Sequence, residues 1–421
     1  MKTFKAFLLG VLVFSLTFTM PVYASEVDIL VDKLVEKGLL TDLEGDMILA
    51  ETRREARRQD AYSAASSSSA SSALPKWVQK MKLKGDFRLR FQYERKDEDK
   101  ECRTRGRIRY RLGIETDIVE QVKVGFGLAS GSRNDPRSTN HTMENAFSSS
   151  DIGIDYAYVQ YKPMDGIKMV GGKFKRKPYL WAPTDLLWDG DINPEGASFA
   201  MEHEITDDIK GFVNTGVWIL DHEGKTDKTD PFMNYVQGGV KAEAGMFDMK
   251  LAGTYYMFNG VQGAQINQDA GDITNTVLPG TDNLKYDYDS VSGGLEFGFK
   301  NPFDLPVERV AFFGEYIYND QAPSLNDGWA AGMKFGSKKV KKEGSWQLKY
   351  IYAYLGKVAW VDAFPDSDRY GGKTNVKGHE FALNYALKDN VILGVDYYLT
   401  DCIKGSKNHE QLVQADLLLK F

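Results

Sequence analysis

From Lys82 to the C-terminus, apolar and polar residues alternate with a period of two. In 82–94, Leu83, Phe87, Leu89, Phe91 and Tyr93 share one parity, and Lys82, Lys84, Asp86, Arg88, Arg90, Gln92 and Glu94 share the other. Residues 103–114 repeat the pattern, with Ile108, Tyr110, Leu112 and Ile114 set against Arg103, Arg105, Arg107, Arg109 and Arg111. Such alternation describes a strand with one oily and one wet face. It predicts sixteen strands near 82–94, 103–116, 122–131, 152–163, 167–174, 197–205, 209–220, 235–244, 247–259, 290–300, 307–319, 328–335, 345–358, 378–386, 390–400 and 409–421. Their connectors alternate between short turns such as Thr206-Asp207-Asp208 and mostly longer segments such as 132–151, 175–196, 221–234, 260–289 and 359–377. A two-sheet sandwich has no reason to sort its loops by length. A barrel crossing a membrane does, because its two ends face different compartments. The expected fold is therefore all-β, a sixteen-stranded antiparallel transmembrane barrel over 77–421.

Only the N-terminal part departs from this period. Within 25–60, Val27, Leu30, Val31, Leu34 and Val35 recur at helical spacing, Gly38 interrupts, and Thr41-Asp-Leu-Glu opens a second helix as a capping box. A helical hairpin or short coiled coil is expected there, with Arg53–Arg58 as a solvated face. The Ser/Ala-rich run in 61–76 reads as a linker. Ahead of both, Lys2 and Lys5 precede an apolar run that ends at Val22-Tyr23-Ala24, the layout of a signal peptide over 1–24. Removing the two lysines takes the formal charge from −6 to −8, so no overall basic footprint points to nucleic acid. Mean hydropathy of −0.40 speaks against a bundle of membrane helices.

Two stretches stand apart from the barrel pattern. The C-terminus, HEQLVQADLLLKF, places Val413, Ala415, Leu417, Leu419 and Phe421 on one face, and this closing strand resembles the signal read by the outer-membrane assembly machinery. Lys173–Gly196 carries Trp181, Trp188, a Tyr and three Leu without a strand period, too apolar for a solvated linker. With GLASGSRNDPRSTNHT at 127–142, AYVQYKPMDGIKMVGGKF at 157–174 and WAPTDLLWDGDINPEG at 181–196, the chain resembles the sixteen-stranded general porins. The resemblance is closer to the putative-porin families with an N-terminal helical segment. It implies a passive outer-membrane pore for water, ions and small hydrophilic solutes. It also implies a third external loop folded inward, a second loop reaching an adjacent subunit, a homotrimer and no cofactor.

On that reading Arg88, Arg90, Arg103, Arg105, Arg107, Arg109 and Arg111 form a basic lumen wall. The inward loop offers Asp185, Asp189, Asp191 and Glu195, with Lys173, Lys175, Arg176 and Lys177 at its root. If those acids face the arginines, a transverse field crosses the constriction. The bland alternative is that the arginines pair with Asp86, Glu115 and Asp117. Trp181 and Trp188 wedge the loop or form a sugar slide. Trp77, Tyr93, Tyr110, Tyr161, Trp218, Tyr350, Tyr397 and Phe421 are expected in the interfacial girdles. Cys102 and Cys402, both at the external end, are either joined loop to loop or are two thiols. An enzyme is not expected, since the five His (141, 203, 222, 379, 409) are scattered and neither a metal set nor a nucleophile elbow is present. The rival roles are a substrate-specific sugar or anion channel and a tether from outer membrane to cell wall.

Overall fold

The computed structural model describes residues 26–55, 75–97, 102–132, 134–147, 149, 151–222, 230–266, 274–302, 307–405 and 408–421. The expected signal peptide and nearly all of the Ser/Ala linker lie outside the described residues. The chain divides into two units, residues 1–79 and 80–421.

The first unit contains α1 (Glu26–Glu36), α2 (residues 42–55) and the single turn α3 (Lys76–Gln79). Thr41 caps α2 reciprocally. Its backbone N–H donates to Glu44 Oε2 at 2.9 Å, and the Glu44 N–H donates back to Thr41 Oγ1 at 3.3 Å, which satisfies two otherwise orphaned donors. The hairpin closes because Gly45 lets α2 approach α1: a Cβ there would stand 2.9 Å from Val35 Cγ2.

In the second unit, sixteen strands form a closed antiparallel barrel: β1 (Lys82–Lys96), β2 (Cys102–Val119), β3 (Val122–Ser130), β4 (Ile152–Tyr161), β5 (Ile167–Lys173), β6 (Glu195–Thr206), β7 (Ile209–Ile219), β8 (Phe232–Ala244), β9 (Phe247–Asn259), β10 (Ser290–Lys300), β11 (Arg309–Asn319), β12 (Asp327–Gly336), β13 (Trp346–Leu355), β14 (Val376–Lys388), β15 (Val391–Cys402) and β16 (Glu410–Lys420). Each strand pairs with its sequence neighbours, and β1 also pairs with β16, Phe87 opposite Leu419 and Leu89 opposite Leu417. A further two-residue segment, His141–Thr142, pairs with β2 at Ile108 and Arg107. Closure leaves no open edge, which hydrocarbon would not tolerate.

Phe421 completes the seam. Gly85 N–H donates to its carbonyl at 2.9 Å, and its own N–H donates to Gly85 O at 3.1 Å. The terminal ring covers Gly85, where a Cβ would meet it at 2.6 Å. The two strand parities then separate as the alternation requires. Leu83, Leu89, Tyr110, Phe126, Met169 and Val213 point outward and are exposed, the arrangement that lipid would cover, while Asp86, Arg90, Arg109, Asn214 and Gln237 are buried on the inner face.

Trp218 departs from its expected girdle position. It shares the inward parity of Phe212 and Asn214 and is 1% exposed, because the lumen beside it is filled with loop. Trp77 belongs to the first unit and is not a barrel-strand residue.

Candidate functional site

Loop 3 (174–194) leaves the wall after the short strand β5 and returns at β6. Its apolar residues Phe174, Leu180, Leu186, Leu187 and Trp188 are buried. Trp188 is the hub, with ring centroids 5.2 Å from Trp218, 5.4 Å from Trp360 and 4.9 Å from Phe364. Trp218 comes from β7, whereas Trp360 and Phe364 come from loop 7 (356–375). Trp360 Nε1 donates to Leu187 O at 2.7 Å. Loop 5 (260–289) joins the same mass through Asn275, whose N–H donates to Asp362 Oδ2 at 2.9 Å. At mid-loop the Gln237 side chain imitates a strand partner for Trp181, accepting from its N–H at 2.9 Å and donating to its carbonyl at 2.8 Å. Lys250 Nζ lies 4.6 Å from the Trp181 ring centre. Only loop 3 was expected in the lumen; loop 7 and the described parts of loop 5 occupy it too. The run Val358-Ala-Trp-Val-Asp-Ala-Phe364 in loop 7 carries the same compositional mark as loop 3 and could have revealed it.

The opposite side of the lumen is ionic. Arg90 donates to Asp416 at 2.8 Å and to Asp368 of loop 7 at 3.0 Å. Arg109 and Arg111 share Asp86 at 2.9 and 2.7 Å, and Arg111 also reaches Asp191 of loop 3 at 3.1 Å. Arg88 binds Asn140 at 2.5 Å, and Arg105 pairs with Glu94 at 3.1 Å. Among the described residues Arg107 meets the neutral Gln92 and Ser138 oxygens, both at 3.3 Å, and no carboxylate. Arg103 is exposed at the upper end of β2.

Loop acids and arginine wall are therefore in direct contact at Asp191 and Asp368, which differs from a field spanning an open gap. Asp185 and Asp189 turn elsewhere, towards loop 7. Asp366 N–H donates to Asp185 O at 3.2 Å, and Ser367 N–H donates to Asp189 Oδ2 at 2.8 Å. Burial, together with the charge of Asp191, pushes the Asp189 carboxyl up to about 8. Burial acts in the same direction on Asp191, but Arg111, Arg109 and Arg88 outweigh it and hold that group at about 2. Lys173 and Glu195 are not constriction residues. They end β5 and β6 on the outward parity and pair with each other at 2.7 Å. Lys175 bridges to Glu115 at 3.2 Å.

Part of loop 2 (131–151) also joins the lumen contents. Its segment 137–142 turns inward: Arg137 donates to Asp362 O at 2.9 Å and Gly372 O at 3.1 Å, and Thr139 Oγ1 donates to Asp191 at 2.8 Å. The cysteines are two free thiols. Tyr93 OH donates to Cys102 Sγ at 2.9 Å, and Asn375 Nδ2 to Cys402 Sγ at 2.9 Å. The reason is strand order. Cys102 ends β2 and Cys402 ends β15, so β1 and β16 stand between them. Three inter-strand steps of about 4.8 Å exceed the ~7 Å Cα limit of a disulfide.

Cavities remain around the loops. Two of them, of about 420 and 380 Å³, share Arg176, Lys177 and Gly190. A third, of about 250 Å³, is lined by Arg103, Arg105, Arg107 and Asp368. The Asp185, Asp366 and Glu380 carboxylates lie close enough together to hold a cation. Lys349 and Arg369 already occupy Glu380, the latter at 2.7 Å, so the group is an internal ion cluster.

The sequence matches the Putative porin family over residues 93–290 and 278–421. No curated protein matches it. Among solved structures, Pseudomonas putida OprB at high pH superposes with a TM-score of 0.55 at 9% identity, over 81% of this chain and 94% of that one. Salmonella typhi OmpF in complex with daunomycin gives 0.48 at 9% identity, over 81% and 97%. A triple mutant of Rhodopseudomonas blastica porin gives 0.44 at 12%, over 81% and 100%. OprB supports the fold alone, and the other two carry no argument. The match across both halves of a closed barrel, with the loop-filled lumen it encloses, places this chain in the Putative porin family.

Proposed function

We propose that the protein is an outer-membrane porin through which water, ions and small hydrophilic solutes diffuse passively, anions being favoured. The observation that carries the anion preference is a set of lumen cations that no acid pairs directly. Arg107, Arg176 and Lys177 have no carboxylate among the described residues within salt-bridge distance. Guanidinium groups stay protonated at any relevant pH, and a pore selects by the charges at its narrowest part. Homotrimeric assembly, insertion through the Leu417, Leu419 and Phe421 face, and a periplasmic place for the helical hairpin complete the reading.

Loop packing favours a second reading within transport, a channel restricted to few solutes. Loops 3, 5 and 7 share one buried aromatic core, and the spaces beside loop 3 include cavities of about 420 and 380 Å³. Single-channel recording in a planar bilayer under a salt gradient tests both. Discrete steps in multiples of three with an anion-side reversal potential support the porin trimer. Saturation of current by one solute supports the restricted channel, and folded protein without conductance refutes both.

A further inference from the structure

Arg176 is a buried cation that Glu315, Asp189 and Asp185 attract from a distance but that no carboxylate among the described residues meets in a salt bridge. It is 4% exposed, yet its one hydrogen bond is from Nη2 to the Trp188 carbonyl at 3.4 Å, and its Nε has no partner. Its guanidinium carbon lies 5.9 Å from the Trp188 ring centre. Burying such a group without a salt bridge is costly. Lys177 follows directly and opens onto the same space, also without a salt bridge. Together the two line both of the larger cavities, so a planar donor fork and an ammonium converge where the cavities meet.

Resting on the porin reading, we infer that Arg176 and Lys177 form a binding site for a small monocarboxylate with an apolar body. The guanidinium fork matches a carboxylate in geometry and charge. Beside it the cavity wall is apolar: Leu180, Trp181, Pro183, Phe313 and Ile351. A phosphate would lose hydration to those surfaces without recompense, whereas an alkyl or aryl group gains from them. The carboxylates of the two cavities sharpen the choice: in the first, Asp86 and Asp191 are held by Arg109 and Arg111, and Asp155 accepts from Asn193 at 2.7 Å. Glu296 is neutralised by Arg309 at 3.0 Å and Lys334 at 3.3 Å. Asp185 has one buried oxygen without a partner, and repels a dianion more than a monoanion. The chemistry named is therefore a monoanionic carboxylate, with benzoate as the simplest aromatic probe.

Calorimetric titration of the folded, full-length protein in detergent with benzoate and with phosphate tests the site, and current block in bilayers tests its place on the path. Saturable benzoate binding is expected, at least tenfold tighter than phosphate and weakened tenfold or more in both Arg176→Met and Lys177→Gln. Lys177→Gln guards against a loop disturbed by the first variant, since Lys177 is exposed. Benzoate binding unchanged in Lys177→Gln and Arg176→Met overturns the site, and equal saturation by phosphate overturns the carboxylate class. Binding that is retained in a protein without conductance upholds the site while removing the porin reading on which its role rests.

Discussion

Loop 3 is held on one side by aromatic rings and on the other by ion pairs, and the two attachments differ in what they require. Trp188 meets Trp218, Trp360 and Phe364 in edge-on and stacked contacts, each worth about 0.5–1.5 kcal/mol beyond burial itself. Those contacts need only shape and dryness. Asp191 meets Arg109 and Arg111, and there the attraction must first offset the loss of water from both charges. The aromatic side therefore fixes where the loop lies. The ionic side fixes which charges remain to face a solute, and breaking it leaves two guanidinium groups sharing one carboxylate.

Removing the hub of the aromatic side should have the largest effect. Trp188→Ala is expected to cost roughly 3–5 kcal/mol, read as a lower unfolding temperature of the barrel in detergent. It should also free loop 3 and raise single-channel conductance. Unchanged conductance would show that the loop is held by the ionic side alone. Asp191→Asn should cost less, roughly 3 kcal/mol, leaving Asp86 as the shared partner of Arg109 and Arg111. Its reversal potential should move towards anions, and a shift towards cations would break the assignment of Asp191 as a screening charge.

Single charges that hold nothing should change selectivity without changing stability. Arg107→Gln is expected to move the reversal potential towards cations by a few millivolts with the unfolding temperature unaltered, since no carboxylate loses its partner. Titration gives a finer probe. With its carboxyl raised to about 8 by burial and Asp191, Asp189 is neutral below that pH and ionised above it. Anion preference should therefore rise as the pH falls through about 8, and the step should vanish in Asp189→Asn. The smallest effect is expected at the thiols. The unmutated protein should run identically on reducing and non-reducing gels and alongside Cys102→Ser and Cys402→Ser; a reduction-sensitive band lost in both variants would contradict the strand order between them.

The barrel was legible because its signal is local. Lys82–Glu94 declares both faces in thirteen residues, and the Phe421 terminus declares the closing strand. Loop 3 was legible too, since two Trp within eight residues have no use in water. Its partners were not. Trp218 carries no mark that separates a girdle residue from a lumen residue. Parity does separate them, because Phe212 and Asn214 share its face, and that face is dry only because loops 3 and 7 fill the space. The same holds for the arginines, whose row of five was evident while their division between Asp86, Asp191, Glu94 and neutral oxygens was not.

The sequence by itself determined strand number, facing and closure, because period-two alternation and turn length act over a few residues and a one-residue slip would turn every side chain to the wrong solvent. Only the tertiary structure decided how deep each loop lies and which cation keeps its charge free. Those outcomes depend on contacts between segments as far apart as Arg90 and Asp416 or Leu187 and Trp360, and no local pattern encodes the cost of leaving Arg176 unpaired.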